Sequence, residues 1–137
     1  MVKILFNLQL QNMNTIGYFE IQSSDPEREM NFYNSVFGWD FIRESYVPIE
    51  YYRIETDSIN GGLLKRPAKV PSPESGTNAF VCSVLVDSFD KTSELILKYG
   101  GQIALPKFAI PQRCWQGYFI DTDNNTFGIF EVDENAK

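Results

Sequence analysis

Histidine is absent from the 137 residues of the sequence. Histidine is the commonest general base near neutral pH and the commonest transition-metal ligand. Its absence excludes a Ser-His-Asp triad and a two-histidine iron or zinc site. Cysteine is scarce as well. Cys82 and Cys114 form no Cys-x-x-Cys pattern, which argues against a disulfide scaffold and against a zinc cluster.

Positive charge is also in short supply, with 12 Lys and Arg against 18 Asp and Glu and a formal net charge of -6. No run of basic residues is present to neutralise phosphates, so we predict no nucleic-acid partner. No apolar stretch approaches membrane-spanning length, and the N-terminus lacks the pattern of an export signal. We therefore predict a cytoplasmic protein with no membrane partner.

What the sequence contains is typical of one globular domain, since 43% of its residues are hydrophobic. Residues 1–13 are predicted to be an N-terminal extension. Phe6, Leu8 and Leu10 alternate there with polar residues, so the segment is either an edge strand or a loose extension ahead of a second start at Met13. The loose extension is the favoured interpretation.

The elements after the extension follow one order twice. In residues 14–65, a strand is followed by a helix that Ser24 or Asp25 can cap and Gly38 ends, and then by three short strands. Residues 66–78, with three prolines, read as a linker. A strand, a helix and three strands recur in residues 79–133, and the last two strands form a hairpin around the turn at residues 121–125. The predicted fold class is α+β, with two tandem βαβββ modules in one domain.

Several short motifs recur along residues 14 to 133. They are Phe19-Glu-Ile21, Asp25-Pro26, Phe32-Tyr33, Val36-Phe-Gly-Trp39, Gly61-Gly62, Val86-Asp87, Gly100-Gly101 and Asp121-Thr-Asp-Asn-Asn-Thr-Phe-Gly-Ile129. Together they resemble the vicinal oxygen chelate superfamily, which includes glyoxalase I, extradiol dioxygenases, fosfomycin resistance enzymes and bleomycin resistance proteins.

The resemblance implies that the sheets of the two modules form an open cleft or half-barrel with the helices on the outer faces. It also implies a homodimer, with the modules pairing either within one chain or between two. A fold of this kind does not choose the activity.

Enzymes of this family hold a divalent metal at four cleft-facing positions occupied by His, Glu or Gln. Carried over by motif spacing, and by analogy for Gly62, these positions fall on Tyr18, Gly62, Val81 and Gly128. Such a set supplies too few oxygen or imidazole donors for a divalent cation. We therefore expect no metal site and no cofactor.

Two glutamates are candidate substitutes for the missing ligands. Glu20 shares the strand face of Tyr18, so it is either a cleft carboxylate or an ordinary surface carboxylate. Glu131 lies three residues after Gly128, which places it on the opposite face, and a solvated strand end is the favoured interpretation.

The predicted ligand-binding residues share an aromatic, polar or charged side chain on a predicted strand or beside one. They are Tyr18, Glu20, Tyr52, Ser83, Arg113 and Trp115. Each of these residues also has a structural interpretation. Strand aromatics are more often core residues, and a lone arginine such as Arg53 or Arg113, which could otherwise bind an anion, is usually solvated or paired. We expect Cys82 to be a buried core thiol and Cys114 to be the more exposed cysteine.

Two functions remain open at this point. The favoured one resembles bleomycin resistance proteins: an acidic dimer without metal whose cleft binds a small, aromatic or cationic molecule. The alternative is an enzyme of the superfamily, lyase, isomerase or dioxygenase-like, with relocated catalytic residues. In that case Glu20 is the general base and Tyr18 is the acid or an orienting group.

Overall fold

A computed structural model describes residues 13–123 and 125–137 of the chain. The predicted extension therefore lies outside the described residues except for Met13. Within the described ranges, no helix has the length and apolar character needed to cross a membrane.

The described chain forms eight strands and two α-helices, which repeat the βαβββ order and confirm the predicted α+β class. In chain order these elements are β1 (Thr15–Ser23), α1 (Pro26–Phe37), β2 (Asp40–Arg43), β3 (Tyr51–Glu55), β4 (Asn60–Lys65), β5 (Val81–Leu85), α2 (Phe89–Lys98), β6 (Gln102–Ile110), β7 (Cys114–Ile120) and β8 (Thr126–Val132). The predicted linker contains a single 3-10 turn, Pro73–Ser75.

The ends of α1 follow from its sequence. Of the two predicted caps, Asp25 is the N-cap, and its carboxylate accepts a hydrogen bond from the Arg28 N–H at 3.2 Å. Pro26 occupies the first turn, where a missing N–H costs nothing. Gly38 ends the helix in the left-handed region, with φ 71°.

Contacts divide the chain into two compact units, residues 19–80 and residues up to Tyr18 together with residues 81–137. Strand β1 therefore begins in one unit and ends in the other. The predicted module boundaries, 14–65 and 79–133, stay predictions.

In the unit of residues 19–80, the strand order is β2-β3-β4-β1, and β2, β3 and β4 pair antiparallel. Ile21, Ile54 and Leu63 form its buried core, against which Met30 and Tyr33 of α1 pack. We call the sheet side that packs against the helix of its unit the helix face, and the other side the opposite face. Since side chains alternate along a strand, Glu20, Arg53 and Gly62 lie on the opposite face.

In the other unit, the strand order is β1-β5-β8-β7-β6. Strands β5 and β8 pair parallel, whereas β8 with β7 and β7 with β6 pair antiparallel, and the β6 register shifts twice. The helix face is buried by Val86, Phe89, Phe119 and Ile129. A second buried cluster, Leu85, Cys114 and Phe130, covers the opposite face together with the half-buried Met13 and Tyr18.

Candidate functional site

Strand register brings Ser83 of β5, Gly128 of β8 and Gln116 of β7 together on the opposite face of the unit containing residues 81–137. Ser83 pairs with Gly128 across the parallel β5 and β8, and Tyr118 of β7 pairs with Gly128 from the other side. Gln116 lies two residues before Tyr118, so its side chain points to the same face. The Gln116 amide Nε2 donates a hydrogen bond to Ser83 Oγ at 3.1 Å. Ser83 is 0% exposed and Gln116 is 7% exposed.

This hydrogen-bonded pair lies directly against Gly128. A Cβ added at Gly128 would overlap Ser83 Oγ, and it would lie 2.8 Å from Gln116 Nε2 and 3.2 Å from Ser83 Cβ. Real Cβ atoms do not approach other heavy atoms so closely. The Ser83 and Gln116 side chains therefore occupy the space that a carboxylate on residue 128 would need.

The other positions carried over from the family also lack suitable donors. Tyr18 is half-buried and packs against the cluster of Leu85, Cys114 and Phe130, and Val81 is half-buried and aliphatic. Gly62 is buried beside Arg53 in the β3–β4 ladder. Within residues 13–123 and 125–137, no group of three or more His, Cys, Asp or Glu side chains is placed to hold a metal ion. The donor set does not fit a divalent metal.

Glu20 is a buried carboxylate, since only 8% of the residue is exposed. Phe19 and Ile21 on either side of it pack into the helix-face core, so the Glu20 side chain points to the opposite face with Tyr18, two residues earlier. Of the two alternatives left open by the sequence, an ordinary surface carboxylate is inconsistent with this burial. Carboxylates are seldom buried without a functional or structural reason.

Arg53 lies in β3, whereas Arg113 lies in the turn before β7. Arg53 is paired: its Nε lies 3.2 Å from Glu44 Oε1 and its Nη2 lies 3.3 Å from Glu55 Oε1. Two acidic partners leave Arg53 little attraction for an anion. Arg113 is half-buried just before β7, where its carbonyl accepts a hydrogen bond from the Asp133 N–H.

Tyr52 and Trp115, both predicted to bind a ligand, lie on the helix faces of their units. Tyr52 packs against the core of Ile21, Ile54 and Leu63. Its hydroxyl donates to Glu50 Oε1 at 3.1 Å, and burial together with this bond raises the Tyr52 pKa. Trp115 Nε1 donates to Asp133 Oδ2 at 2.9 Å. Tyr52 therefore lies on the other sheet face from Glu20, and Trp115 on the other sheet face from Ser83; their role in ligand binding stays a prediction.

Glu131 lies on the helix face, as its spacing from Gly128 predicted, but it is not a solvated strand end. Its Oε1 accepts a hydrogen bond from the Phe89 N–H at 2.8 Å, at the first residue of α2. The first N–H groups of a helix have no partner within the helix, and a carboxylate there also stabilises the positive end of the helix dipole. Glu131 is thus a second cap of α2 beside Ser88, whose hydroxyl accepts from the Lys91 N–H.

The predicted exposure of Cys114 is wrong. Cys114 is only 7% exposed, because β7 is flanked by β6 and β8 and the side chain packs with Leu85 and Phe130. Burial raises the pKa of the Cys114 thiol to about 12, against a small opposing effect of Arg113. Cys82 is the more exposed of the two thiols. Cys114 is too deeply buried, and its pKa is too high, for a reactive cysteine.

Gln116 was not among the residues chosen from the sequence. The available signal was its position in β7, an uncharged amide in a strand that is otherwise mainly apolar and aromatic. A polar side chain at such a position is usually hydrogen-bonded when buried. Its partner Ser83 is 33 residues earlier, so the pairing depends on the sheet and not on local spacing.

Comparison with known proteins agrees with this geometry at the level of the fold. "Putative glyoxylase CFP32" of Mycobacterium bovis is 23% identical over 123 residues, which are 88% of this chain and 47% of the relative. The chain therefore spans about half the length of the curated relatives it matches.

Two solved structures show the same fold. Methylmalonyl-CoA epimerase from Mycobacterium tuberculosis superimposes with a TM-score of 0.63 at 11% identity, over 88% of this chain and 89% of the other. The Mn(II)-bound glyoxalase from Novosphingobium aromaticivorans superimposes with a TM-score of 0.61 at 17% identity, over 91% of this chain and 41% of the other. At such identities the likeness concerns the fold alone.

The model of the glyoxalase/bleomycin resistance protein/dioxygenase superfamily matches residues 15–129. This match confirms the resemblance read from the sequence motifs. Since it covers most of the chain, the protein belongs to the glyoxalase/bleomycin resistance protein/dioxygenase superfamily.

Proposed function

We propose that this chain is a superfamily member that binds a small molecule without a metal at the family position. The observation that carries the proposal is the space beside Gly128, which the hydrogen-bonded Ser83 and Gln116 side chains fill. A buried serine and amide that satisfy each other are stable without an ion. If a ligand side chain at position 128 had simply been replaced by glycine, an empty space would be expected beside Gly128, but Ser83 and Gln116 fill it.

The ligand class follows from the side chains on the opposite face of β1. Glu20 provides a buried carboxylate, and Tyr18, two residues earlier, provides a half-buried aromatic ring. A carboxylate in a weakly hydrated place attracts a cation or a strong hydrogen-bond donor. A small molecule with an amino group and a flat or apolar body matches both side chains. Ser83 and Gln116 are occupied with each other, so we assign them no contact with the ligand.

The absence of a metal requirement is tested by thermal unfolding. Chelator-treated protein is heated with Mn²⁺, Ni²⁺, Zn²⁺ or Fe²⁺, and no rise in Tm is expected. A metal held at 100 times its Kd would stabilise the fold by about 2.7 kcal/mol, which is several degrees in Tm for a chain of this size. A rise of that size, or stoichiometric metal in the purified protein, would contradict the proposal.

Ligand binding is tested by a thermal-shift screen of metabolites and antibiotics, with cationic aromatic compounds included. Glu20→Gln removes the charge and keeps the shape, so the Kd of a cationic hit should rise by about tenfold or more, as for a charge-assisted contact. Glu94→Gln is the matched control, because Glu94 is an exposed carboxylate of α2. Equal effects of the two substitutions would remove Glu20 from the binding site.

The enzyme alternative is favoured by one observation, the burial of Glu20. A carboxylate held away from bulk water can serve as a general base where a substrate proton lies within hydrogen-bond reach. If a hit from the screen is consumed on incubation, Glu20→Gln should abolish the turnover while circular dichroism shows an intact fold. Binding of the hit without consumption supports the proposed binding function over the enzyme alternative.

We also propose the homodimer and the cytoplasmic location that the sequence predicts. The dimer is tested by light scattering after size-exclusion chromatography, which gives the particle mass directly. A particle with the mass of a single chain at micromolar concentration would contradict the dimer.

A further inference from the structure

We infer that the unit of residues 19–80 contains a second binding site, for a flat and uncharged aromatic molecule. It is a shallow pocket of about 360 Å³, broadly open to solvent, on the helix-face side of that unit. Its lining consists of Phe19, Trp39, Thr56, Ser58, Ile59 and Phe80. Phe19 faces away from its neighbour Glu20 along β1, so this pocket is separate from the side chains used in the proposed function.

Three aromatic rings define the pocket. The Phe19 and Phe80 rings stack with centroids 5.9 Å apart and an interplanar angle of 23°. The Trp39 ring lies 5.7 Å from Phe19 at 49°. Aromatic rings contact another ring favourably through an offset face or an edge, so the parts of these rings that stay uncovered suit a flat aromatic ligand.

The walls of the pocket are held in place by the fold itself. The Phe19 ring lies flat on Gly61, where an added Cβ would come within 2.6 Å of the ring. Tyr33 lies nearly parallel to Trp39, with centroids 5.4 Å apart and planes at 8°. A pocket that exists before binding does not lose affinity to the cost of ordering its walls.

Three polar groups at the pocket's edge have partners within the chain: the Thr56 hydroxyl, the Thr56 N–H and the Ser58 N–H. The Thr56 hydroxyl donates to the Ile59 carbonyl at 2.7 Å and accepts from the Ser58 N–H at 3.1 Å. The Thr56 N–H donates to Asn60 Oδ1 at 2.9 Å. No charged side chain lines the pocket. A charged ligand would therefore lose its hydration without gaining a partner, which selects against it.

The occupant we commit to is a small molecule, because of the pocket's size. Cavities that bind drug-sized ligands have volumes of about 300–1,000 Å³. A stable protein interface needs about 800 Å² on each partner, far more than six residues provide. Phe80 and Ile59, 45% and 40% exposed, are the apolar surface that such a ligand would cover.

The test uses N-phenyl-1-naphthylamine, an uncharged probe whose fluorescence rises in apolar surroundings. The full-length protein carries Trp115→Phe, which leaves Trp39 as the only tryptophan. We expect saturable probe fluorescence with energy transfer from Trp39. Anilinonaphthalenesulfonate has the same rings and a negative charge, so it should bind at least about tenfold more weakly. Both titrations are made at about 0.5 M salt, where the acidic protein's general repulsion is screened.

Two variants locate the probe. Ile59→Glu places a charge at the pocket's edge and should raise the probe's Kd by about tenfold or more. Leu97→Glu is the matched control, since Leu97 is 47% exposed on α2 and outside the pocket. It should leave the Kd within about twofold, as an exposed site away from the ligand does.

Three results would overturn the inference. They are no saturable binding of the uncharged probe, equal effects of the two substitutions, and binding of the charged probe as tight as that of the uncharged one. A dimer in light scattering that Ile59→Glu dissociates would also overturn it, because the pocket would then be covered by a second copy. None of these results bears on the Glu20 test, which uses a different sheet face.

Discussion

The Gly128→Ala substitution tests the packing on which the proposed function depends. Gly128 lies in the middle of β8, and its φ is not in the left-handed region. Replacing such a glycine by alanine normally stabilises a protein by about 0.4–1 kcal/mol, because the unfolded chain loses conformational freedom. The neighbourhood of Gly128 predicts the opposite sign.

The magnitude follows from the contacts of the added methyl group. The Cβ would overlap Ser83 Oγ and lie 2.8 Å from Gln116 Nε2, so at least one of these side chains must move. Overpacking of a tight interior costs about 1–3 kcal/mol. Breaking the buried hydrogen bond between Gln116 and Ser83 costs about another 1–3 kcal/mol, since both groups are left without water. We expect a loss of about 1–5 kcal/mol in the free energy of unfolding after the backbone gain is subtracted.

The assay is urea unfolding followed by far-ultraviolet circular dichroism, within a double-mutant cycle. Ser83→Gly removes both atoms of the serine side chain that crowd residue 128, so Gly128→Ala should cost at least about 1 kcal/mol less in that background. The reasoning is refuted if Gly128→Ala leaves the free energy of unfolding within about 0.5 kcal/mol of the unmodified chain. It is also refuted if the cost is the same with and without Ser83.

Two further predictions concern Glu131 and Cys114. Glu131→Ala removes the acceptor of the Phe89 N–H and should lower the free energy of unfolding by about 1 kcal/mol. The control, Glu94→Ala on the exposed face of α2, should change it by less than about 0.5 kcal/mol. Equal losses in urea unfolding would show that Glu131 does not cap α2. In a Cys82→Ala chain, Cys114 should react with Ellman's reagent only after unfolding, and labelling within the mixing time would contradict its burial. The Cys114 pKa of about 12 lies above the usual 9.0, so between these pH values the folded state keeps a proton that the unfolded state releases. The contribution of the Cys114 thiol to stability is therefore complete below pH 9.0 and is lost as pH rises to about 12. The stability difference between this chain and a Cys114→Ala chain should shrink over that range.

The order of elements was predictable because local signals mark it. The Asp25 cap, the Pro26 first turn and the Gly38 end delimit α1 without any distant contact. Alternation along a single strand was also sufficient to place Glu20 opposite the helix-face core and Glu131 on the other side from Gly128.

The features of the candidate site that the sequence did not reveal depend on pairing between strands. Strand β7 carries aromatic rings on both faces, Trp115 and Phe119 on one and Tyr118 on the other, so its periodicity does not identify the helix face. The burial of Cys114 results from flanking by β6 and β8, and the Gln116 hydrogen bond joins residues 33 positions apart. Such facts arise from non-local contacts, which a local pattern does not encode.

The position of β8 has a consequence for how this unit assembles. β8 lies between β5 and β7, although it follows every other described strand in the chain. Until β8 is synthesised, β5 and β7 lack the strand with which both form hydrogen bonds, and α2 lacks its Glu131 cap. A ribosome-bound chain that ends before residue 126 therefore exposes unpaired strand edges, the kind of surface that aggregates. We expect this unit to complete its fold only after β8 leaves the ribosome, so a pause in translation ahead of β8 should favour aggregation.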